Sequence, residues 1–412
     1  MNKLKLTPAE RSWVLYDVGN SAFTLLIATI IPIYFNFLAE EAGLSNVQYL
    51  AYWGYAASAA TLLVAVLGPV FGTLADTQGY KKPIFLLFLG VGLIGCIALG
   101  FAAHWLWFLL IFVVARVGYS GSLIFYDSML SDITDADRMD HVSSQGYAWG
   151  YIGSCVPFAG CLALVLGAGA LGLSMVTAMG LSFGITALWW LGFTLPLLRR
   201  YEQKHFVERQ PHAIRESFAR LGRTLASVRQ EKKIFLFLLA FFFYIDGVYT
   251  IIDMATAYGE ALGLDSTGLL LALLLTQVVA FPFAILFGRL ARKFSGDQLI
   301  PLCILAYFGI AVFAMFLRTQ AQFWMLAVLV GMFQGGIQAL SRSYFARIIP
   351  FSQSGEYFGL LDICGKGASF MGTTVVSVVS QITGNISLGV GMIALLFLVG
   401  LILFRQASRI PS

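Results

Sequence analysis

Long apolar stretches alternate with short polar segments along the whole chain. Each stretch is long enough to cross the hydrocarbon core of a bilayer as a helix, which takes about 20 residues. Strands of a membrane barrel are disfavoured, because they would alternate apolar and polar positions. We predict twelve transmembrane helices, near residues 12–38, 48–75, 83–103, 105–130, 141–168, 174–198, 233–259, 267–293, 298–318, 321–347, 354–383 and 384–404.

Composition supports an all-α integral membrane protein. The chain is 59% apolar and 11% charged, whereas a soluble globular protein carries about 25% charged residues. The first apolar stretch is too long for the core of a cleavable signal peptide. The net charge of +5 does not lead us to expect a nucleic-acid partner, because the placement of the basic residues reflects membrane topology.

That placement predicts an orientation. The chain has 26 Lys and Arg residues, and all except Arg116, Arg318 and Lys366 fall on one side of the predicted membrane. Cytoplasmic loops carry the excess of basic residues in membrane proteins. We therefore expect a multi-pass protein of the cell (plasma) membrane with both termini in the cytoplasm.

The longest polar stretch divides the spans into two sets of six. It predicts an N-terminal bundle over 1–198, a cytoplasmic linker over 199–232 and a C-terminal bundle over 233–412. Within the linker, residues 217–228 have the pattern of an amphipathic helix lying on the membrane surface.

The two sets of spans also look related. The segment Gly72-x-Leu-Ala-Asp76 has a counterpart 216 residues later in Gly288-x-Leu-Ala-Arg292. The same offset places the first span on the seventh and the fourth on the tenth. Such repeats are common in secondary transporters, whose substrate site lies between the repeats. We predict two pseudo-symmetric six-helix bundles.

A polar break between the second and third spans carries a motif. Its sequence, Gly72-Thr-Leu-Ala-Asp76-Thr-Gln-Gly79-Tyr-Lys81-Lys82, resembles the signature loop of the major facilitator superfamily, with Tyr80 in place of the usual first basic residue. Glycine permits a tight turn and close helix approach, and Asp76 can meet a helix N-terminus or a cation. The resemblance implies that these residues brace one conformational state and do not bind substrate.

Four further segments lie in the first, seventh, tenth and eleventh spans. They are Trp13-Val-Leu-Tyr-Asp17-Val-Gly-Asn20-Ser21-Ala-Phe, Phe243-Tyr-Ile-Asp246-Gly-Val-Tyr-Thr250, Gln334-Gly-Gly-Ile-Gln338-Ala-Leu-Ser341-Arg342-Ser343 and Phe358-Gly-Leu-Leu-Asp362-Ile-Cys-Gly-Lys366. Together they resemble a bacterial permease branch related to the fungal autophagy-linked vacuolar amino-acid effluxers. The resemblance implies the twelve-helix major facilitator fold and alternating-access transport.

Polar residues recur at helical spacing inside several spans. A charged side chain at mid-bilayer costs roughly 2.5–3.5 kcal/mol, so it usually faces a cavity or a partner. The candidates for a substrate or proton pathway are Asp17, Asn20, Arg116, Asp127, Asp246, Asp253, Gln334, Gln338, Arg342, Asp362 and Lys366.

Two interpretations stay open for each of two candidates in the predicted N-terminal bundle, Asp17 and Arg116. Asp17 takes part in transport, or it lies near the cytoplasmic end of its helix and caps that end or contacts loops. Arg116 anchors an anion or modulates a proton site, or it forms a structural ion pair with another helix. Arg116 cannot pair directly with Asp127, because eleven residues of helix separate them by about 16 Å.

In the seventh span, Asp246 and Asp253 are candidates for proton coupling, because a carboxylate desolvated in a membrane binds a proton near neutral pH. Alternatively, Asp246 stabilises a helix broken at Gly247, and Asp253 meets water on the outer side.

The tenth and eleventh spans leave similar choices. Arg342 binds a carboxylate bidentately beside the two Gln amides, or it snorkels to the cytoplasm. Asp362 and Lys366, four residues apart, form a structural pair or one that opens when Asp362 takes a proton.

We expect no metal or other cofactor. The five Cys and four His residues lack ligand spacing. The acidic segment Asp132–Asp140 lacks the central Gly and terminal Glu of a calcium loop, and we interpret it as a solvated cytoplasmic loop. We find no His-metal cluster or Ser–His arrangement in the spans, so we do not expect an enzyme.

The patterns and the resemblance together predict a monomeric secondary active transporter in contact with membrane lipid. It would move a small polar organic solute, an amino acid or similar carboxylate, by alternating access coupled to protons. The alternatives are a lipid or amphiphile translocator and a non-transporting membrane receptor on the same fold.

Overall fold

A computed structural model describes residues 5–209, 219, 221–224, 228 and 230–411. Within that set, the side chains of residues 46, 47, 50, 51, 256, 257, 260, 261, 266, 267, 270, 366–370, 377 and 386 are not described. The amphipathic helix predicted over 217–228 lies largely outside the described residues, as does the side chain of Lys366.

The described part of the chain is almost entirely helical, which confirms the all-α class. One 3₁₀ turn, Phe351–Gln353, precedes α13. The helices are α1 (Pro8–Ala28), α2 (Ile30–Glu41), α3 (Asn46–Ala75), α4 (Lys81–Leu99), α5 (Trp105–Ser128), α6 (Leu130–Ile133), α7 (Met139–Leu166), α8 (Met175–Arg200), α9 (Lys232–Ala261), α10 (Ser266–Leu290), α11 (Gly296–Met315), α12 (Gln320–Ile348), α13 (Ser354–Thr383) and α14 (Ile386–Ser408).

Among the described residues, eleven stretches are long and apolar enough to cross a membrane. The first, Pro8–Glu41, contains both α1 and α2. These helices separate at Thr29, whose φ of −135° and ψ of −72° lie outside the helical range. The eleventh predicted span, 354–383, coincides with α13, in which a shorter apolar part runs over Met371–Thr383.

The chain forms two compact units. The first consists of the described parts of 1–133, 149–217 and 352–359, and the second of those of 134–148, 218–351 and 360–412. The beginning of α7 therefore belongs to the second unit, and the beginning of α13 belongs to the first. The boundaries 1–198, 199–232 and 233–412 remain a prediction.

Small residues let the helices of the first unit approach closely, as is common where membrane helices pack. On α4 and α5, a Cβ added at Gly118 would lie 2.7 Å from the Cα of Gly92. Aromatic side chains pack between α1 and α5. The rings of Trp13 on α1 and Tyr126 on α5 stack with their centroids 4.4 Å apart.

The second unit follows the same principle. A Cβ added at Gly331 on α12 would lie 2.8 Å from the Thr276 carbonyl oxygen on α10. On α14, one added at Gly400 would lie 3.0 Å from the backbone nitrogen of Tyr244 on α9. Close backbone packing therefore fixes the helices that carry the polar residues of this unit.

Candidate functional site

A polar cluster lies in the first unit, where α1 meets α5. The hydroxyls of Thr24 and Tyr119 share a hydrogen bond of 2.5 Å. Asp17, Arg116 and Asp127 lie close enough to Tyr119 to act on it electrostatically. Three predicted positions thus act on Tyr119, which is not among the candidates predicted from the sequence.

Two members of this cluster are deeply buried. Asp17 is 6% exposed and Asn20 is 3% exposed. The Asn20 amide donates to the Tyr16 carbonyl at 3.1 Å and to the Asp17 carboxylate at 3.3 Å. Arg116 is half-buried, with its guanidinium 5.9 Å from the centroid of the Phe112 ring. The cluster therefore combines carboxylate, guanidinium, amide and hydroxyl groups, which suit a small zwitterionic solute.

Asp246 is the most enclosed acidic candidate of the second unit. The residue is fully buried on α9. Its Oδ1 accepts the Gly372 backbone N–H of α13 at 2.9 Å and the Thr250 hydroxyl at 3.2 Å. Its Oδ2 has no hydrogen-bond partner among the described residues. The described residues thus supply donors to one oxygen of this carboxylate and none to the other.

Gly372 makes this contact possible. A Cβ added there would lie 2.5 Å from Asp246 Oδ1, well inside van der Waals distance. A glycine at this position therefore allows α13 to bring its backbone N–H directly to a side chain of α9.

The remaining candidates of the second unit occupy different environments. Asp253 is exposed, although it lies on the same helix as Asp246. Gln334 is 6% exposed, and its Oε1 has no partner among the described residues. Gln338 and Asp362 are half-buried. Asp253 and the buried groups thus differ in exposure, and the transport role of each residue remains a prediction.

Arg342 is buried on α12 and is held by the beginning of α7. Its Nε donates to the Ser143 hydroxyl at 2.9 Å, and its Nη2 donates to the Ser143 carbonyl at 3.0 Å. The guanidinium also lies 4.3 Å from the centroid of the Tyr147 ring, a cation–π contact. Much of its donor capacity is therefore used within the second unit.

The interpretation of Asp132–Asp140 as a solvated loop is wrong at both ends. Asp140 is 8% exposed. Its Oδ1 accepts the Ser343 hydroxyl at 2.5 Å, and its Oδ2 lies 2.6 Å from Arg347 Nη1. Asp132 is 1% exposed and contacts Lys81, Tyr201 and His205. These carboxylates are buried because residues distant in the sequence supply donors and cations.

The signature-like loop packs against the start of α13. Asp76 accepts the backbone N–H groups of Gly355 at 2.8 Å and Glu356 at 2.9 Å. Its carboxylate also lies 3.6 Å from the Lys81 ammonium. Asp76 thus meets both a helix N-terminus and a cation, and its part in conformational change remains a prediction.

The glycines and the second lysine of this loop occupy distinct positions. A Cβ added at Gly72 would lie 2.8 Å from the Gly355 carbonyl carbon. Gly79 has a φ of +80°, which glycine adopts with little strain. Lys82 is half-buried, whereas Lys81 is fully buried.

The helical spacing of polar residues did not identify Tyr119, Ser143 and Tyr147 as polar contacts of predicted site residues. One available signal was the polar run at the beginning of α7, which spaces Ser143 and Tyr147 one helical turn apart. Nothing in the sequence identifies Arg342 as their partner, because 195 or more residues separate them.

Comparisons with known proteins agree with this architecture. The family model described as "Vacuole effluxer Atg22 like" matches residues 8–408. An uncharacterised MFS-type transporter, YxiO of Bacillus subtilis, is 44% identical over 97% of this chain and 94% of its own length. Autophagy-related protein 22 of Cryptococcus neoformans is 27% identical over 64% of this chain, which spans about half (51%) of that relative.

A solved structure shows the same fold. The major facilitator superfamily transporter FucP in its outward conformation has a TM-score of 0.76, at 15% identity over 98% of this chain and 99% of FucP. A variant of the same protein, described as the E. coli fucose:proton symporter, has a TM-score of 0.67. The chain belongs to the Atg22-like vacuole effluxer family and is a bacterial-branch member of the major facilitator superfamily.

Proposed function

We propose that this protein is a proton-coupled secondary transporter of a small polar organic solute, an amino acid or similar carboxylate. It works by alternating access as a monomer in the cell membrane, with both termini in the cytoplasm. Its relatives are MFS-type transporters, and the proposal adds the class of solute and the coupling ion.

The observation that carries the coupling is the burial of Asp246. An ionised carboxylate is costly inside a membrane unless donors compensate it. Gly372 and Thr250 compensate only Oδ1, while Oδ2 has no partner among the described residues. Protonation on Oδ2 removes the charge, so this group is suited to exchange a proton during transport.

The solute class is supported by the cluster around Tyr119. Asp17 and Arg116 supply opposite charges close to one phenol, and Asn20 and Thr24 add neutral hydrogen-bonding groups. An amino acid carries one ammonium and one carboxylate, and each has a complementary group here. In the second unit, Gln334 and Gln338 carry amides that can also donate and accept hydrogen bonds.

The test is counterflow in liposomes that contain the purified protein. Vesicles loaded with one unlabelled amino acid are diluted into the same labelled amino acid, over a panel of acidic, basic, neutral and aromatic side chains. Counterflow needs no driving force, so it reports binding and alternation before coupling is known. We expect transient accumulation for one class and none in empty liposomes.

Coupling is then tested with an imposed pH gradient across the same vesicles. We expect uphill uptake with the native protein and its loss in Asp246→Asn, which keeps counterflow. Absence of counterflow across the panel, from protein shown to be folded, would overturn the solute class. In that case a lipid translocator or a receptor becomes the better explanation.

A further inference from the structure

The beginning of the linker, residues 201–209, packs on the signature-like loop. We call this segment the linker clasp. Its Val207 N–H donates to the Asp76 carbonyl at 2.8 Å, and the Val207 carbonyl accepts the Gln78 N–H at 3.0 Å. These bonds form a parallel bridge between Thr77 and Val207.

A second residue of the linker clasp extends this pairing. The Gln203 amide nitrogen donates to the carbonyls of Ala75 at 3.1 Å and Thr77 at 3.3 Å. Its amide oxygen accepts the N–H of Gly79 at 2.9 Å. One side chain thus bonds to three backbone groups of the loop, of which the Thr77 carbonyl also accepts the Tyr80 N–H at 3.1 Å.

Tyr80 stands where the superfamily loop has a basic residue, and the linker clasp places a cation there. The guanidinium of Arg209 lies 5.4 Å from the centroid of the Tyr80 ring. This cation–π contact is a third point of attachment between the two segments.

The linker clasp also surrounds Asp132, which is buried at α6. The Tyr201 hydroxyl donates to Oδ2 at 2.6 Å, and the backbone N–H groups of Lys204 and His205 donate to Oδ1 at 3.2 and 2.9 Å. The His205 ring Nδ1 lies 3.1 Å from the same Oδ1. Burial, with Asp132 beside it, raises the pKa of Tyr201 well above its ordinary value, so this hydroxyl remains a donor.

Asp132 connects this group to the loop through Lys81. The Lys81 ammonium lies 3.7 Å from Asp132 and 3.6 Å from Asp76, and it donates to the Ser354 hydroxyl at 2.8 Å. A buried ammonium is costly unless such partners stay in place. The position of Asp132 therefore affects the position of Lys81 and, through Lys81, that of the Asp76 carboxylate, which binds the start of α13.

We propose that the linker clasp is a functional part of the signature-like loop, with Tyr201 and His205 as positioning residues. They hold Asp132 against Lys81, and Lys81 holds Asp76 on the N-terminus of α13. The linker thereby controls how long α13 stays attached to the loop. This role does not depend on which solute is carried or on proton coupling.

Amide hydrogen exchange of the full-length protein in nanodiscs tests the proposal. The reporters are the N–H groups of Gly355 and Glu356, which Asp76 accepts in the first turn of α13. N–H groups at that position lack intrahelical partners, so their protection reports the Asp76 contact. Asp76→Asn serves as the positive control.

We expect Tyr201→Phe and His205→Ala to speed exchange at both reporters, on the order of tenfold, the effect of one lost hydrogen bond to a charged group. The conservative His205→Gln keeps a donor and restores most of the protection. Lys204→Ala is the matched control, because its side chain is exposed and only its backbone contacts Asp132.

Protection of amides in the α4–α5 crossing verifies that each variant is folded. Tyr201→Phe removes a single oxygen atom, so it gives a readout even where His205→Ala does not fold. The proposal is overturned if exchange rises only within 201–209 and stays unchanged at Gly355 and Glu356. It is equally overturned if Lys204→Ala has the same effect as Tyr201→Phe.

Discussion

Arg342 and Ser143 are joined by two hydrogen bonds, from Nε to the serine hydroxyl at 2.9 Å and from Nη2 to the serine carbonyl at 3.0 Å. The pair fastens the beginning of α7 to α12 within the second unit. A planar guanidinium suits this geometry, because it donates in two directions while its face lies on the Tyr147 ring.

Arg342→Lys is therefore expected to destabilise the protein by about 2 kcal/mol, since a lysine keeps the charge but loses the paired donors and the stacking. The measurement is the unfolding temperature in detergent, followed by tryptophan fluorescence. Arg405→Lys is the matched control, because that side chain is exposed near the end of α14. Equal unfolding temperatures for the two variants would show that the contacts of Arg342 contribute little.

Gly72→Ala is expected to loosen the start of α13. The new Cβ would lie 2.8 Å from the Gly355 carbonyl carbon, and overpacking of this kind costs about 1–3 kcal/mol. We expect faster amide exchange at Gly355 and a lower unfolding temperature. The control is Gly160→Ala on α7, where no described atom lies within 4 Å of the added one. A Gly72 variant as stable as the control would contradict the packing seen here.

Asp246→Asn and Asp253→Asn are expected to behave differently, although both remove one carboxylate from α9. Asp246 is fully buried, and its Oδ2 has no hydrogen-bond partner among the described residues, whereas Asp253 is exposed. Only the first substitution is expected to abolish uptake driven by a pH gradient while counterflow persists. Coupling that survives in Asp246→Asn and fails in Asp253→Asn would transfer the proton site to Asp253.

A tyrosine–serine hydrogen bond joins α1 to α5, and a second one joins α9 to α12. These are the first and fourth spans of each predicted bundle. Tyr16 and Ser122 lie 2.8 Å apart, and Tyr244 and Ser341 lie 2.7 Å apart. Tyr244→Phe and Ser341→Ala, singly and together, form a double-mutant cycle. We expect a coupling energy of about 0.6 kcal/mol, the average measured for hydrogen bonds between membrane helices, and at most about 1.7 kcal/mol. A coupling near zero would mean that the two hydroxyls find other partners.

The helical architecture was predictable because lipid imposes it locally. Each apolar stretch must satisfy its own backbone hydrogen bonds, and a helix does so without help from distant residues. The contacts of Asp76 were partly predictable for a different reason. A carboxylate in a cytoplasmic loop is attracted to the N-terminus of a helix. Which helix supplied those N–H groups was not predictable from Gly72–Lys82.

The buried acidic groups show where sequence reasoning failed. Asp132 and Asp140 lie in a polar segment, and composition alone favours a solvated loop. Whether a carboxylate is solvated depends on partners such as Tyr201 and Arg347, which come from other parts of the chain. The cost of burying charge is cancelled by three-dimensional neighbours, which no local pattern contains.

The sequence by itself determined the membrane class, the number of predicted spans, the repeat of the signature-like segment and the family. All of these follow from local hydropathy, spacing or motif identity. Only the tertiary structure showed that Asp246 is buried and Asp253 is exposed. It also placed Arg342 on Ser143 and the linker clasp on the signature-like loop. Those outcomes depend on which helices touch and where glycine lets them approach, because hydrogen bonding and desolvation are decided over a few ångströms in space.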